Sequence, residues 1–408
     1  MKVVIIGGAA SGMTIASRIR KLRKETEVIV LQKEKYVSLG ACGLPYFVAN
    51  EDVSENELLA RTIDEFAEQN ITIHPESTVI KIDPETKKVI YLNNSKENEL
   101  AYDKLVIATG AKPIVPSFIN VNNKNIFTLT RLEDAVSLKE KLNDKSIKKV
   151  AIIGSGFIGL EAVEMVSKYN KTVILVEKSV ELSSKVFDTE ISSLLEQELL
   201  NNNVVIYKDC ALSGIKENNN SLILGFENKE DIEVDLVILA VGFKPATDFL
   251  NNSGIKMLAN GAVIVDRHGR TNIENIYACG DCATSFNKLT KENSYTPLAT
   301  IARKFAKVVA DDILGIESEF AGHIQSSIVK SFGAEMASCG LNEKVAKDLG
   351  YEVKTVFIKD KDHPSYYPNP TLLALKLVIN RKTNTLLGAQ MYGSNLSVLR
   401  INFLISLI

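Results

Sequence analysis

The sequence predicts an α/β protein with two parallel-sheet units, followed by a smaller domain that mixes helices and strands. Residues 2–12 and 149–159 share one pattern, in which a lysine and a buried strand lead into a glycine turn and a helix start. Residues 103–110 and 235–242 share another, an acidic residue, a buried strand and a glycine exit. From about residue 321 the sequence alternates between apolar and polar residues. The repeated patterns indicate two strand-helix-strand units, and the alternation indicates antiparallel strands.

The composition is that of a globular protein without a strong charge bias. The chain has 408 residues, of which 45% are hydrophobic and 24% charged, with 48 basic residues against 50 acidic ones. This length predicts two or three domains, and the balanced charge does not favour nucleic acid or an anionic membrane as a partner. No apolar run approaches the ~20 residues of a membrane-spanning helix. The 5 cysteines are too few for a small secreted disulfide scaffold, so a reducing cytoplasm is the expected location.

The glycine turn of the second unit has the clearest nucleotide-binding pattern. Gly154, Gly156 and Gly159 form Gly-x-Gly-x-x-Gly between a strand and a helix, and Glu177 ends the next strand. Glycines let the backbone approach a pyrophosphate at a helix start, and the carboxylate accepts ribose hydroxyls. Because Glu177 would repel a 2′-phosphate, NADH is expected rather than NADPH; a turn that serves only packing is the alternative. The predicted NADH-binding residues are Gly154, Gly156, Phe157, Ile158, Gly159, Glu177 and Gly242.

The first unit departs from this pattern at two positions. Ala9 stands where the middle glycine would be, and Gln32 stands where the ribose-binding acid would be. An alanine methyl can be accommodated near a pyrophosphate, but a glutamine has one acceptor oxygen for two hydroxyls. We therefore expect FAD to bind here, less tightly than an acid would allow. The predicted FAD-binding residues in this part of the chain are Gly7, Ala9, Ala10, Gly12, Gln32, Lys33, Ser38, Thr109 and Gly110.

Two later segments are assigned to the same FAD site. Gly280 and Asp281 follow a buried strand, where the aspartate can accept a hydrogen bond from a ribityl hydroxyl. Pro297, Leu298 and Ala299 then begin a helix whose N–H groups can stabilise negative charge on a reduced flavin.

Cys279 and Cys282 form a Cys-x-x-Cys pair within the first of these segments. Such a pair suggests zinc or redox chemistry, but the sequence contains no second pair of ligands. A packing role is favoured, and no metal site is predicted.

Taken together, these motifs resemble the pyridine nucleotide-disulfide oxidoreductases over essentially the whole chain. Residues 38–46 resemble the single-cysteine branch of that family, which contains coenzyme A-disulfide reductases, NADH oxidases and NADH peroxidases. The two-cysteine branch is excluded, because no second cysteine follows Cys42 at Cys-x4-Cys spacing. The resemblance implies that Cys42 is the redox thiol, and a helix start beside a flavin would lower its pKa. A buried structural cysteine is the alternative.

The resemblance also implies roles for three other side chains. Residues 363–368 are similar to a loop that carries an active-site tyrosine across the dimer interface, so Tyr366 or Tyr367 would position or protonate a departing coenzyme A thiolate. An aromatic turn that packs the interface is the alternative. Glu161, one turn into the second unit's helix, would help orient the nicotinamide.

The implied reaction transfers a hydride from NADH to FAD across Phe157, and then two electrons to a disulfide at Cys42. Coenzyme A disulfide is the expected substrate. A persulfide or polysulfide reductase, and an NADH oxidase or peroxidase that uses a Cys42 sulfenic acid, are alternatives. The oxidases and peroxidases carry a histidine in the first glycine turn, and residues 9–11 contain none. A protein that binds FAD and NAD without catalysis is the alternative from a different class.

The expected domain order is an FAD-binding domain interrupted by an NAD-binding domain, then a dimerisation domain that forms a homodimer. The predicted boundaries are 1–112 and 247–320 for FAD, 113–246 for NAD and 321–408 for dimerisation. Residues 399–408 begin an apolar helix that stops without a capping residue. We therefore expect an incomplete dimerisation domain with an exposed apolar edge and a weakened dimer.

Overall fold

The computed structural model describes residues 1–50, 52–120 and 122–408, and the chain divides into two compact units. The first unit contains Met1–Ala41, Ser54–Lys112 and Phe243–His323. The second unit contains Cys42–Val53, Pro113–Gly242 and Ile324–Ile408.

The described residues form 25 strands and 9 α-helices. In chain order the strands are β1 (Lys2–Ile6), β2 (Glu27–Leu31), β3 (Thr72–His74), β4 (Ser77–Asp83), β5 (Lys88–Asn93), β6 (Lys96–Ala101), β7 (Lys104–Ile107), β8 (Ala111–Pro113), β9 (Ile126–Phe127), β10 (Lys149–Ile153), β11 (Thr172–Val176), β12 (Val205–Tyr207), β13 (Leu212–Asn218), β14 (Ser221–Phe226), β15 (Ile232–Val234), β16 (Leu236–Leu239), β17 (Phe243–Pro245), β18 (Ile276–Ala278), β19 (Ser285–Phe286), β20 (Asn293–Ser294), β21 (Ser327–Ser331), β22 (Ala334–Gly340), β23 (Val353–Lys361), β24 (Leu372–Asn380) and β25 (Leu386–Gly393). The α-helices are α1 (Ala10–Leu22), α2 (Leu44–Ala49), α3 (Ile63–Ala67), α4 (Leu132–Asn143), α5 (Phe157–Ser167), α6 (Thr189–Asn201), α7 (Ala299–Ile313), α8 (Glu343–Asp348) and α9 (Ile401–Leu407).

The first unit is built on a five-stranded parallel sheet in the order β18-β7-β1-β2-β3. Its central strand β1 places Val4 opposite Ile29 on one side and Leu105 on the other. Continuous apolar runs of this kind are typical of parallel strands covered on both faces. Helices α1 and α7 pack together, and the Arg18 guanidinium joins them through two hydrogen bonds to the Asp311 carboxylate, of 2.6 and 2.7 Å. The unit also contains a smaller antiparallel sheet, β4-β5-β6, and the two-stranded sheet β19-β20.

The second unit contains the repeated parallel sheet, in the order β12-β11-β10-β16-β9. Strand β10 places Val150 opposite Val173 and Leu236, which repeats the arrangement around β1. Helix α5 follows β10 and packs on it, and the antiparallel sheet β13-β14-β15 lies between β12 and β16 in the sequence. The two parallel-sheet units predicted from the repeated motifs are therefore present.

The C-terminal part of the second unit is a five-stranded antiparallel sheet in the order β21-β22-β25-β24-β23. The alternating sequence correctly indicated β21, β23, β24 and β25, but it did not indicate β22. Six of the seven residues in β22 are buried, and the adjacent apolar residues Met336 and Ala337 break the alternation of polarity. The apolar helix expected near residue 399 is α9, in which Ile401 is buried and Phe403 is 68% exposed.

Helices long and apolar enough to cross a lipid bilayer do not occur in the described part of the chain.

Candidate active site

In the first unit, the glycine turn brings the start of α1 directly against the end of β1. The Gly7 N–H donates to the Leu31 carbonyl oxygen at 2.9 Å, and Ala9 and Ala10 lead into the helix. A Cβ atom added at Gly12 would lie 1.9 Å from the Gly7 carbonyl oxygen, so only glycine permits this crossing. The N–H groups at the start of α1 therefore face the turn, as pyrophosphate binding requires.

Gln32 holds this turn through its side-chain amide. Its Oε1 accepts the Gly8 N–H at 2.7 Å, while its Nε2 donates to Glu34 Oε2 at 2.8 Å and to the Tyr36 carbonyl oxygen at 3.0 Å. The Ser38 N–H donates to the Gly8 carbonyl oxygen at 2.8 Å, so both sides of Gly8 are fixed. The acceptor oxygen of Gln32 thus already serves the protein backbone, and the adjacent Lys33 is exposed. Thr109 and Gly110 lie just after β7, a strand of the parallel sheet of this unit.

The later segments of the first unit converge on the start of α1. A Cβ atom at Gly280 would lie 2.5 Å from Ser11 Oγ, which shows how closely the exit of β18 approaches the helix. Asp281 follows directly, and burial raises its pKa.

The Tyr295 hydroxyl is a buried polar atom that has no hydrogen-bond partner among the described residues. Burial, together with the charge of Asp281, raises the Tyr295 pKa above its usual range. Buried hydroxyls are normally hydrogen-bonded. The Tyr295 phenol and the Asp281 carboxyl therefore fit a site for the hydroxyl-rich ribityl chain of FAD. The sequence motifs did not identify Tyr295. Its only signal was its position just before Pro297, Leu298 and Ala299, where α7 begins.

Cys279 and Cys282 are buried completely in the core of the first unit. The Cys279 Sγ donates to the Ala302 carbonyl oxygen at 3.5 Å, and the Cys282 Sγ donates to the Ile107 carbonyl oxygen at 3.3 Å. Burial raises the pKa of both thiols, so they are suited to packing rather than to nucleophilic chemistry.

The second unit repeats the glycine turn before α5. The Gly154 N–H donates to the Val176 carbonyl oxygen at 2.7 Å, and a Cβ atom at Gly159 would lie 1.9 Å from the Gly154 carbonyl oxygen. A Cβ atom at Gly156 would meet no atom within 4 Å. The turn is therefore closed on the sheet side and open at Gly156, which fits a pyrophosphate at the start of α5.

Glu177 carries a fixed negative charge beside this turn. Its carboxylate accepts hydrogen bonds from Ser155 N–H at 2.9 Å, Ser155 Oγ at 2.6 Å and Ser179 N–H at 2.9 Å. Burial alone would raise the Glu177 pKa, but these hydrogen bonds outweigh it and the pKa lies below its usual value. Phe157 and Ile158 are the first residues of α5, and Gly242 follows β16 with a φ of +116°.

Cys42 is exposed and lies in a 3₁₀ turn, Ala41–Gly43, directly before α2. The rest of the second unit holds the other end of this short helix. The Lys139 ammonium donates to the carbonyl oxygens of Phe47 and Asn50, both at 2.9 Å, and the Tyr169 hydroxyl donates to the carbonyl oxygen of Val48. These bonds satisfy carbonyl groups that a helix end leaves without partners, so they fix the segment that carries the thiol.

Helix α2 also packs against α5, and this contact joins Cys42, Tyr46 and Glu161 in one cluster. Tyr46 is 48% exposed on α2. Burial and the charge of Glu164 raise the Glu161 pKa to about 7, and the neighbouring Tyr46 hydroxyl opposes part of that shift. Burial and the charges of Glu161, Glu164 and Cys42 raise the Tyr46 pKa. The sequence indicated Cys42 and Glu161 separately, whereas Tyr46 entered only as part of the cysteine motif.

Tyr366 and Tyr367 lie in the loop between β23 and β24, and they are 89% and 63% exposed. The His363 ring lies edge-on to the Tyr367 ring at 5.4 Å, and the Thr371 N–H donates to Asp362 at 2.8 Å to close the loop. Their exposure suits side chains that reach another molecule, and their catalytic role stays a prediction.

Comparisons with known proteins agree with this arrangement. Residues 1–304 match the family model of the pyridine nucleotide-disulphide oxidoreductases, and residues 326–406 match the dimerisation domain of the same family. The chain is 35% identical to an NAD(P)H sulfur oxidoreductase (CoA-dependent) from Pyrococcus furiosus, over 97% of the chain and 88% of that protein. It is 29% identical to a coenzyme A disulfide reductase from Staphylococcus epidermidis, over 99% of the chain and 91% of that protein.

Among solved structures, an NAD-dependent persulfide reductase from A. fulgidus is similar over 100% of the chain and 76% of that protein. The TM-score is 0.96 at 32% identity. Because the family model covers most of the chain, including both glycine turns and the cysteine segment, the chain belongs to the pyridine nucleotide-disulphide oxidoreductase family and is an FAD-dependent NAD(P)H oxidoreductase.

Proposed function

We propose that this enzyme is an NADH:disulfide reductase that uses Cys42 to reduce coenzyme A disulfide. The observation that carries the proposal is an exposed thiol in the turn directly before α2, a helix that packs against the helix that begins at the NAD-type glycine turn. The relative named coenzyme A disulfide reductase supports this choice of substrate.

The residues of the two glycine turns would hold the two nucleotides. Around FAD these are the start of α1, Asp281 and the Tyr295 phenol, which lacks a partner among the described residues. Around NADH they are the open turn at Gly156 and the charged carboxylate of Glu177. Because that carboxylate would repel a 2′-phosphate, we propose NADH as the preferred donor. We also propose that the domain boundaries follow the expectation from sequence, with the NAD-binding domain inserted into the FAD-binding domain.

The chemistry of this chain begins at the Cys42 sulfur. Its thiolate attacks one sulfur of coenzyme A disulfide, the substrate S–S bond breaks, and one coenzyme A leaves as a thiolate that takes up a proton. The product is a mixed disulfide between Cys42 and the second coenzyme A. Bound FAD would supply the two electrons that NADH provides; this mixed disulfide would take them up, the second coenzyme A would leave, and Cys42 would return to its thiolate. NADH, one proton and coenzyme A disulfide thus give NAD⁺ and two coenzyme A thiols.

A persulfide of coenzyme A is the second candidate substrate. An exposed thiolate can also attack a persulfide sulfur, and the persulfide reductase similar to this chain supports that alternative. Reduction of oxygen or peroxide is less favoured, because Ala9, Ala10 and Ser11 place no histidine in the first glycine turn. Tyr366 and Tyr367 would act across a homodimer in either sulfur reaction.

Anaerobic titration of the FAD-loaded protein with NADH tests the proposal, because bleaching of the flavin reports hydride transfer. Coenzyme A disulfide, coenzyme A persulfide, oxygen and peroxide are then added separately, and the acceptor that restores the flavin colour fastest identifies the substrate class. We expect coenzyme A disulfide to do so. A flavin that NADH does not bleach would instead indicate a binding protein without catalytic turnover.

Cys42→Ser should keep FAD and its reduction by NADH but lose disulfide turnover. Cys210→Ala is the matched control, because Cys210 is a buried thiol of the same unit and its loss should leave turnover nearly unchanged. Disulfide turnover that persists in Cys42→Ser would contradict the assignment of the thiol.

A further inference from the structure

The loop between β11 and α6 is tied to the second glycine turn through the side chain of Ser155. We propose that Ser155 is a positioning residue that determines which nucleotide binds: its hydroxyl joins the Glu177 carboxylate to Ser183 and so fixes the carboxylate beside the ribose of the nucleotide. The inference rests on the proposed function, because it takes this glycine turn as the NAD site and assigns a cause to the proposed preference for NADH.

The Ser155 hydroxyl both donates and accepts a hydrogen bond inside the protein. Ser155 is 0% exposed, and buried hydroxyls are normally hydrogen-bonded. Its Oγ donates to Glu177 Oε2 at 2.6 Å and accepts the Ser183 N–H at 2.8 Å. An alanine could fill neither role, although the glycine pattern leaves this position open to any residue. The hydroxyl therefore connects the acid at the end of β11 with a residue further along the same loop.

Ser183 is held in a backbone conformation that residues other than glycine seldom adopt. Its φ of +51° lies in the left-handed region. Two hydrogen bonds to Ser155 hold it there, one from the Ser183 N–H to Ser155 Oγ and one from the Ser183 hydroxyl to the Ser155 carbonyl oxygen. Ser183 is also buried, so loss of the Ser155 hydroxyl would remove the acceptor of a buried N–H group.

The same arrangement commits both oxygens of Glu177 to fixed donors. Oε2 accepts the N–H and the hydroxyl of Ser155, while Oε1 accepts the Ser179 N–H at 2.9 Å. Burial would raise the Glu177 pKa, but the hydrogen bonds from Ser155 and Ser179 bring it below its usual value, so the carboxylate keeps its charge. A 2′-hydroxyl placed beside it would meet an acceptor, whereas a 2′-phosphate would meet a negative charge that is held from both sides.

A second buried serine of this region provides a matched control. Ser192 on α6 is 2% exposed, and its Oγ donates to the Leu182 carbonyl oxygen at 2.9 Å, directly beside Ser183 in the loop. This bond holds the loop but does not involve Glu177. Ser192→Ala therefore loosens the loop and leaves the hydrogen bonds of the Glu177 carboxylate in place.

Isothermal titration calorimetry of the oxidised, FAD-loaded protein with NAD⁺ and with NADP⁺ measures the preference without turnover. The two ligands differ only in the 2′-phosphate, so the ratio of their dissociation constants reports discrimination at that group. We expect the wild type to prefer NAD⁺ and Ser155→Ala to reduce the preference about two- to tenfold, the range for one hydrogen bond. Ser192→Ala should keep the wild-type ratio. A merely structural loss would weaken both ligands equally and would not change the ratio.

The double variant Ser155→Ala with Glu177→Gln tests whether Ser155 acts through the carboxylate. The charge is already absent in Glu177→Gln, so the further loss of the Ser155 hydroxyl should change the ratio by less than about twofold. A change as large as that in the wild-type background would show that Ser155 acts by another route, and the inference would be wrong.

If Ser155→Ala does not fold, Ser183→Gly takes its place. Glycine adopts a φ of +51° without strain, and the substitution removes the hydroxyl that ties residue 183 to the Ser155 carbonyl oxygen. The preference for NAD⁺ should fall in the same direction, because the N–H that orients the Ser155 hydroxyl is then held less firmly.

A wild-type ratio in the folded Ser155→Ala protein, or in Ser183→Gly where it replaces that variant, would overturn the inference and leave disulfide reduction through Cys42 untouched. If the wild type binds NADP⁺ as tightly as NAD⁺, the proposed preference for NADH fails and the inference fails with it.

Discussion

Replacing Lys376 with methionine should destabilise the second unit strongly. Lys376 lies on β24 with 1% of its surface exposed. Its ammonium lies 2.6 Å from Glu190, 2.7 Å from Glu343 and 3.4 Å from Asp188, which come from α6, α8 and the residue before α6. The methionine would fill a similar volume, but three carboxylates would face each other without their cation.

The expected cost follows from the burial of these carboxylates. Removing one partner of a buried ion pair costs about 3–5 kcal/mol, because the remaining charge is left uncompensated. The side chains of Glu190 and Glu343 are 32% and 27% exposed, and Lys347 contacts Glu343 at 2.6 Å, so water and this second cation offset part of the loss. We therefore expect about 3 kcal/mol, or roughly 6–12 °C in the unfolding midpoint for a cooperative unit of this size.

The pH dependence of this loss has a definite sign. Hydrogen bonds from Lys347 and Lys376 lower the Glu343 pKa in the folded protein. The stabilisation is therefore complete above the unfolded carboxyl pKa of about 4.3 and disappears as the pH falls through the lower folded value. The difference between wild type and Lys376→Met should be full at pH 7 and should shrink in acid.

Thermal unfolding followed by circular dichroism at pH 7 and pH 4 measures both effects. Lys344→Met is the matched control, because the exposed Lys344 ammonium pairs with Asp348 on the surface and its loss should cost no more than about 1 kcal/mol. A Lys376→Met midpoint equal to that of the control would refute the argument that the buried ammonium is required.

Three further perturbations test other parts of the molecule. Glu177→Gln should narrow the difference between the rates at which NADH and NADPH reduce the flavin, as measured by anaerobic stopped flow. Equal rates with the two donors in the wild type would contradict the role of the Glu177 charge. Gln32→Glu should lower the free energy of unfolding of the FAD-free protein by about 1–3 kcal/mol, because the new carboxylate would face Glu34 in place of a hydrogen bond. An unchanged thermal midpoint would contradict the stabilising role of the Gln32 amide. The double variant Tyr366→Phe with Tyr367→Phe should keep flavin reduction by NADH but slow coenzyme A disulfide turnover about tenfold or more, and unchanged turnover would assign the loop to packing.

The parallel sheets could be predicted from the sequence because their signal is local. A buried strand, a glycine at the close contact between strand and helix, and a helix start all lie within about ten neighbouring residues, as around Gly7 and Gly12. The strand β22 gave no such signal, because a strand buried on both faces tolerates adjacent apolar residues such as Met336 and Ala337, which break the alternation by which antiparallel strands are identified.

The parts of the site that the sequence did not indicate depend on contacts between distant segments. Tyr46 and Glu161 are 115 positions apart, and only the packing of α2 on α5 joins them. Tyr295 became a candidate ligand only once its hydroxyl was found buried without a partner among the described residues. Gln32 stands in the sequence where the pattern has an acid, but its bonds to Gly8, Glu34 and Tyr36 could not be foreseen from that substitution alone.

The bonds that Lys139 and Tyr169 make to the carbonyl oxygens of the cysteine segment bear on chimera design. Residues 42–53 interrupt the first unit in sequence, yet they group with the second unit. A chimera that exchanged only residues 113–242 between relatives would separate the thiol segment from the side chains that hold it. Residues 42–53 should therefore be transplanted together with 113–242, so that recombination is planned by shared anchoring contacts and not by continuity along the chain.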